Sequence, residues 1–82
     1  MKLEFTEASQ KQFQKLPQNQ VKKIAKKIKN LQQNPLLGKK LQGQLKNCYS
    51  LRAWPYRIIY QLNPSEKRII ITDISHRQSA YK

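Results

Sequence analysis

The amino-acid sequence predicts an α+β domain in which a two-helix hairpin packs on one face of a small antiparallel sheet, in the order β-α-α-β-β-β. Two patterns support this prediction. Apolar residues recur at helical spacing in the first half of the chain, and in the second half they form three runs rich in β-branched and aromatic residues. With 82 residues the chain has the length of one domain, so we treat residues 1–82 as a single unit.

The first half begins with a short strand that leads into a helix. Polar and apolar side chains alternate over residues 2–5, and Thr6 followed by the acidic Glu7 is a typical helix start. Pro17 ends this helix because proline cannot continue the backbone hydrogen bonding. The residues of the first helix expected to face the core are Ala8, Phe13 and Leu16.

A second helix is predicted between Gln18 and Gln33, and the pair Asn34-Pro35 ends it. Its apolar residues fall on one stripe, which consists of Val21, Ile24, Ala25, Ile28 and Leu31. Its polar face carries lysines with no acid between them, namely Lys22, Lys23, Lys26, Lys27 and Lys29. This lysine face is either a footprint on a large RNA surface or simply solvated, and the sequence leaves both readings open.

The second half predicts an extended loop over residues 36–47 and then an antiparallel meander. Its three strands are expected at residues 48–53, 56–62 and 68–74, with a turn at 63–67. Alternation in the second strand places Ile58, Tyr60 and Leu62 on the core face. The third strand is apolar at both alternating positions, so its other face is covered either by a partner or by helix ends or the tail.

The chain carries 17 Lys and Arg against 4 Asp and Glu, a net charge of +13. Because so large a charge repels itself, a polyanionic partner would convert that repulsion into affinity. The candidate partners are nucleic acid, an acidic protein or an anionic membrane surface, and the alternative is that the lysines serve solubility alone. The apolar runs are too short to span a membrane, and the N-terminus does not fit a signal peptide, so we expect a cytoplasmic protein.

The sequence lacks the motifs of several common enzyme classes. Its four acids are scattered, no serine lies in a Gly-x-Ser-x-Gly motif, and it has no glycine-rich phosphate loop. The single cysteine, Cys48, can form no internal disulfide and is interpreted as a packing residue. We expect neither a metal cluster nor a cofactor.

The C-terminal half does offer a set of basic and aromatic residues, which are Arg52, Tyr56, Arg57, His76, Arg77 and Tyr81. Arginine binds a phosphate through two parallel hydrogen bonds, and tyrosine offers a ring on which a nucleobase stacks. RNA supplies its own nucleophile, the 2′-hydroxyl, so such a site needs neither a metal nor a nucleophilic side chain. Each arginine taken singly also fits a solvated strand or turn position.

Several stretches of the sequence match a known family in the same order along the chain. They lie at residues 13–17, 31–35, 40–43, 49–60 and 76–81. The most specific are Tyr-Arg-Ile-Ile-Tyr at 56–60 and the pair His76-Arg77 followed by Tyr81. In these stretches the chain resembles the RelE/ParE superfamily of bacterial toxins from type II toxin–antitoxin pairs.

RelE-like members of this superfamily are endoribonucleases that cut mRNA in the ribosomal A site. The resemblance implies attack by the 2′-hydroxyl on the adjacent phosphate, with Arg57, Arg77 and Tyr81 as catalytic residues. Arg57 would hold the scissile phosphate, Arg77 would assist the leaving oxygen, and Tyr81 would orient the nucleotide or help transfer the proton. The implied substrate-binding residues are Arg52, Tyr56, His76 and the helix lysines Lys22, Lys23, Lys26 and Lys27, which would contact rRNA.

Two alternatives stay open at this point. ParE-like members share the fold but poison DNA gyrase, although they generally lack the Arg57, Arg77 and Tyr81 set. The chain could also be a plain basic module that binds nucleic acid.

RelE-type sites often carry lysines where this chain has Ser50, so the proton acceptor is not identified. Under either toxin reading, the expected partner is a cognate antitoxin with an acidic segment lying over the basic surface.

Overall fold

The computed structural model describes residues 2–41 and 47–76 and contains the predicted elements in the predicted order. They are β1 (Lys2–Phe5), α1 (Glu7–Gln14), α2 (Gln18–Gln33), β2 (Lys39–Lys40), β3 (Cys48–Ala53), β4 (Tyr56–Asn63) and β5 (Arg68–His76). The α+β class and the two-helix hairpin on a small sheet are confirmed. The structure adds β2, a two-residue strand inside the segment predicted as an extended loop.

The five strands form one sheet in the order β1-β5-β4-β3-β2. Strands β3, β4 and β5 pair antiparallel, as predicted, and β2 adds antiparallel to β3. Strand β1 pairs parallel with β5, so the sheet is mixed. Parallel neighbours require a long crossover connection. Here α1, α2 and the β2–β4 strands lie between β1 and β5 in the sequence and provide it.

Helix α1 is fixed to the sheet through its first turn. The Thr6 hydroxyl oxygen accepts a hydrogen bond from the Ser9 backbone N–H at 3.2 Å, which caps the helix. Ser9 is fully buried, and its hydroxyl donates to the Ile71 carbonyl of β5 at 2.6 Å. The expectation that Ala8 faces the core is wrong, since Ala8 is exposed and its neighbour Ser9 takes that place by hydrogen bonding to β5.

The core lies between the helices and one face of the sheet. Helix α2 contributes Ile24, Ile28 and Leu31, whereas Val21 is half-buried and Ala25 is exposed, so the buried stripe is narrower than predicted. The sheet contributes Leu51, Ala53, Ile58, Tyr60, Leu62, Ile69, Ile71 and Ile74. The assignment of Ile58, Tyr60 and Leu62 to the core is confirmed.

A β-bulge explains why β5 looked apolar on both faces. The register shifts between Ile59 and Tyr60 of β4, which pair with Asp73 and Ile71 of β5. The bulge adds one residue to β5, so Ile71 and Ile74 both face the core although three positions separate them. Only Ile70 of the four isoleucines lies half-buried on the other face.

Candidate functional site

A groove of about 810 Å³ runs along β3. It is lined by Leu37, Lys39, Lys40, Leu41, Ser50, Leu51, Arg52 and Arg57. Four of these residues are cationic and none is acidic. A concave surface with charges of one sign concentrates the field that they produce, so this groove attracts anions.

Arg52 and Arg57 form the basic centre of the groove. They are cross-strand partners on β3 and β4, and Ser75 of β5 is the partner of Arg57 on its other side. Strand alternation directs all three away from the helices, because Leu51 and Ile58 next to them face the core. Arg52 is exposed and Arg57 is half-buried, so both can reach a ligand on the open face of the sheet.

Lys39 and Lys40 line the groove from the sheet edge. Lys39 pairs with Ser50 and shares the open face with Arg52, whereas Lys40 pairs with Tyr49, and strand alternation directs it to the other face. Sequence reasoning missed these two lysines because it treated residues 36–47 as a loop without function. The sequence shows only a basic pair directly after Gly38, and two residues are too few to reveal a strand.

Tyr60 holds the chain just ahead of these lysines. Its hydroxyl donates to the Pro35 carbonyl at 2.8 Å and accepts from the Gly38 backbone N–H at 2.9 Å. Burial raises the pKa of the Tyr60 phenol above its ordinary value, although the hydrogen bond from Gly38 acts in the opposite direction. The phenol is therefore protonated at neutral pH and remains a donor.

Tyr56 and His76 lie at the same end of the sheet as the arginines but on its other face. They are cross-strand partners, their rings meet edge to face with centroids 5.3 Å apart, and Tyr56 packs against the core. The structure therefore does not bring them together with Arg52 and Arg57 on one face. The sequence could have predicted this for Tyr56. It lies two positions before Ile58 in the strand, and residues two apart face the same side of a sheet.

The lysines of α2 form a second basic surface in the helix layer. Lys22 and Lys26 are exposed and Lys27 is half-buried. Lys23 differs from them, since its ammonium group donates to the Trp54 carbonyl in the turn between β3 and β4. The helix lysines and the groove thus lie in different layers, and the Lys23 contact joins the helix layer to the hairpin that carries the arginines.

The acidic residues lie outside the groove. Arg68 binds Glu4 at 2.6 Å and Glu66 at 3.0 Å, close to β1 at the sheet edge opposite β2. Asp73 accepts a hydrogen bond from Gln12 of α1 at 2.7 Å. In the described part of the chain, no carboxylate side chain therefore lines the groove.

Two of the predicted catalytic residues, Arg77 and Tyr81, lie outside the described residues. Within residues 2–41 and 47–76, no group of three or more His, Cys, Asp or Glu side chains could hold a metal ion. Neither helix of this described part is long and apolar enough to cross a membrane.

Comparison with known proteins gives consistent matches over nearly the whole chain. Residues 3–81 match the family described as "ParE toxin of type II toxin-antitoxin system, parDE". The chain is 26% identical over 80 residues to toxin RelG of Mycobacterium tuberculosis, covering 95% of this chain and 92% of RelG.

Solved structures agree with this match. A chain of the toxin–antitoxin complex RelBE2 from M. tuberculosis has a TM-score of 0.83 at 26% identity, over 93% of this chain and 96% of that one. A chain of the intact E. coli RelBE toxin–antitoxin complex has a TM-score of 0.80 at 26% identity, over 92% and 94%. The fold predicted from the sequence is the fold of these proteins.

Proposed function

The chain belongs to the ParE toxin family of type II toxin–antitoxin systems, and on that premise we propose that it is a RelE-like, ribosome-dependent endoribonuclease. The observation that supports this activity is the groove itself, in which Arg52 and Arg57 of two neighbouring strands and the lysines of the sheet edge come together. An RNA backbone is the ligand whose charge and shape fit such a groove, because each phosphate can pair with a cation. The site of cleavage would be mRNA in the ribosomal A site, so the protein would act in the cytoplasm.

The chemistry that we propose uses the substrate's own nucleophile. The ribose 2′-oxygen bonds to the adjacent phosphorus, the bond from phosphorus to the 5′-oxygen breaks, and the products are a 2′,3′-cyclic phosphate and a 5′-hydroxyl. The 2′-proton leaves as this bond forms, and the departing 5′-oxygen takes up a proton. Because the phosphorane gains negative charge, a guanidinium fixed beside it accelerates the reaction on the order of 100-fold.

Arg57 is the residue to which we assign this charge stabilisation. It lies half-buried on the central strand β4, between Arg52 and Ser75, and its backbone is paired on both sides. A rigid strand fixes a side chain more narrowly than a loop does, which is the requirement for preorganised electrostatics. Arg52 is more exposed, and we assign it to binding a neighbouring phosphate.

The remaining roles follow from the resemblance to RelE-like nucleases. We propose that Arg77 stabilises the leaving oxygen and that Tyr81 orients the nucleotide or takes part in proton transfer. His76 and Tyr56 are proposed as substrate contacts at the end of the sheet, and His76 is a second candidate for proton transfer. On the ribosome, the exposed lysines of α2 would contact rRNA.

A cognate antitoxin is the proposed protein partner. The matched RelBE2 and RelBE structures are both toxin–antitoxin complexes. A segment with acidic side chains would neutralise the basic surface of this chain, and its binding should weaken with added salt. A complex whose affinity does not change with salt would contradict this electrostatic contribution.

Induction of the wild type beside Arg57→Ala tests the proposal. Primer extension on translated messages should show breaks within codons for the wild type and none for Arg57→Ala. Arg68→Ala is the matched control, because it removes an arginine whose partners Glu4 and Glu66 lie away from the groove. Growth arrest with intact messages would reject the nuclease.

A gyrase poison is the second candidate, and the match to the ParE family favours it. A DNA supercoiling assay separates the two functions, because a gyrase poison inhibits supercoiling and leaves messages intact. Supercoiling that proceeds unchanged at micromolar protein rejects this candidate. A harmless nucleic-acid-binding module, in contrast, would accumulate without slowing growth.

A further inference from the structure

The corner at residues 35–38, between α2 and β2, contacts the sheet through one side chain. Tyr60 of β4 is fully buried, yet its hydroxyl meets both ends of the corner, at the Pro35 carbonyl and the Gly38 N–H. Leu36 and Leu37 between them are 69% and 46% exposed. Among the described residues, these are the side-chain hydrogen bonds that join the corner to the sheet.

Gly38 is shaped to receive this hydroxyl. A Cβ atom at position 38 would lie 2.5 Å from the Tyr60 hydroxyl oxygen and 2.7 Å from Cε1 of its ring. Those distances are shorter than non-bonded atoms allow, so any residue other than glycine would displace the phenol. The ring cannot easily retreat, because it stacks on Tyr49 with centroids 5.4 Å apart.

The corner leads directly into the basic edge of the groove. Lys39 follows Gly38, and β2 pairs with β3 through only two residues, Lys39 and Lys40. So short a strand fixes its own position weakly, because few hydrogen bonds oppose the loss of chain entropy. The hydrogen bond between the Gly38 N–H and the Tyr60 hydroxyl restricts the backbone conformation of the residue immediately before this strand.

We infer that Tyr60 is a positioning residue of the groove, whose hydroxyl fixes the 35–38 corner and thereby places Lys39 to bind a phosphate of single-stranded RNA. This inference rests on the proposed function for its ligand. Tyr60 itself does not touch the RNA, because it lies under the opposite face of the sheet. One strand, β4, thus carries Arg57 on the open face and positions Lys39 from the core face.

A double-mutant cycle tests the inference with 2′-O-methyl RNA, which binds but has no nucleophile. The affinity of the wild type, Tyr60→Phe, the Lys39→Ala/Lys40→Ala pair and the triple variant is measured over a series of salt concentrations. Losing the phosphate contact of Lys39 should lower the salt slope by about 0.7 for the lysine pair. Tyr60→Phe should lower the affinity about two- to tenfold and reduce the slope toward that of the lysine pair.

The triple variant decides whether Tyr60 acts through the lysines. If it does, Tyr60→Phe has no further effect on binding in the Lys39→Ala/Lys40→Ala background. An equal loss in both backgrounds, or wild-type binding by Tyr60→Phe, overturns the inference. Tyr49→Phe is the matched control, since it removes the hydroxyl of the stacked ring, which makes no hydrogen bond to the corner in the described part of the chain.

Amide exchange at Gly38 supplies a second measurement that needs no RNA. The Gly38 N–H should exchange faster in Tyr60→Phe than in the wild type and in Tyr49→Phe, and unchanged protection would overturn the inference. Gly38→Ala should reproduce the binding loss with the tyrosine still present. If messages stay intact in cells while the coupling persists, the proposed function fails and the positioning role stands.

Discussion

Arg52 and Arg57 are direct cross-strand partners on the open face of the sheet. Like charges at such positions repel each other and are destabilising by a few tenths of a kcal/mol. A sheet that needed only stability would place opposite charges or a hydroxyl at this pair. An anion bound between the two arginines would relieve this repulsion.

Replacing Arg57 with glutamine separates stability from activity. We expect Arg57→Gln to reduce single-turnover RNA cleavage on the ribosome on the order of 100-fold, because it removes the charge assigned to the transition state. The thermal midpoint should change little, because Arg57 lies on the open face of the sheet and not in the core.

Arg68→Gln is the control for this prediction. It breaks the contacts with Glu4 and Glu66 and should lower the midpoint slightly without changing cleavage. If Arg57→Gln lowers the thermal midpoint enough to unfold the protein under the assay conditions, its loss of cleavage is due to unfolding, and the prediction is contradicted.

The raised pKa of the Tyr60 phenol predicts that the protein loses stability at alkaline pH. Burial raises the pKa of the folded phenol above the value near 10 of the unfolded chain, so the unfolded chain releases this proton first. The contribution of the hydroxyl is fully present below about pH 10 and is lost as the pH rises through the folded pKa. Chemical denaturation from pH 8 to 11.5 should show the stability difference between wild type and Tyr60→Phe shrinking above about pH 10. A constant difference would contradict the raised pKa.

Ser9 makes a measurable contribution to stability through one buried hydrogen bond. Ser9→Ala removes the hydroxyl that donates to the Ile71 carbonyl at 2.6 Å, but this carbonyl keeps the hydrogen bond from the Thr6 N–H at 3.0 Å. The substitution should therefore cost about 0.5–1.5 kcal/mol in urea unfolding. Ala8→Ser introduces a hydroxyl at the exposed neighbouring position and should change the free energy of unfolding by less than about 0.5 kcal/mol. Equal effects of the two substitutions would place α1 in a different rotation on the sheet.

Trp54 should report on binding in the groove. It is the single tryptophan of the chain, it is 54% exposed, and it lies in the turn between the strands that carry Arg52 and Arg57. Titration with single-stranded 2′-O-methyl RNA should change its emission, because a base or phosphate bound at this end of the sheet alters its surroundings. Arg57→Ala should shift the titration to higher RNA concentration. Constant emission under conditions where another method detects binding would place the RNA elsewhere.

The arginines of the site could be predicted from the sequence, whereas its lysines could not. Arg57 lies in a strand in which core-facing and outward-facing residues alternate clearly. Once Ile58 was assigned to the core face, its neighbour Arg57 had to lie on the open face. Lys39 and Lys40 lie in a two-residue strand, which is too short to show any periodicity. Tyr56 and His76 were grouped with the arginines by chemistry, although the alternation that placed Arg57 put Tyr56 on the other face.

By itself, the sequence determined the helices, the main strands, the core stripe of α2 and the excess of positive charge, because these depend on residues close together along the chain. The tertiary structure decided the parallel pairing of β1 with β5, the bulge that turns Ile74 toward the core, and the anchoring of Gly38 by Tyr60. Each of these joins segments far apart in sequence. They are stabilised by packing and hydrogen bonds that exist only once the sheet has formed, so the hydrophobic periodicity of the sequence does not predict them.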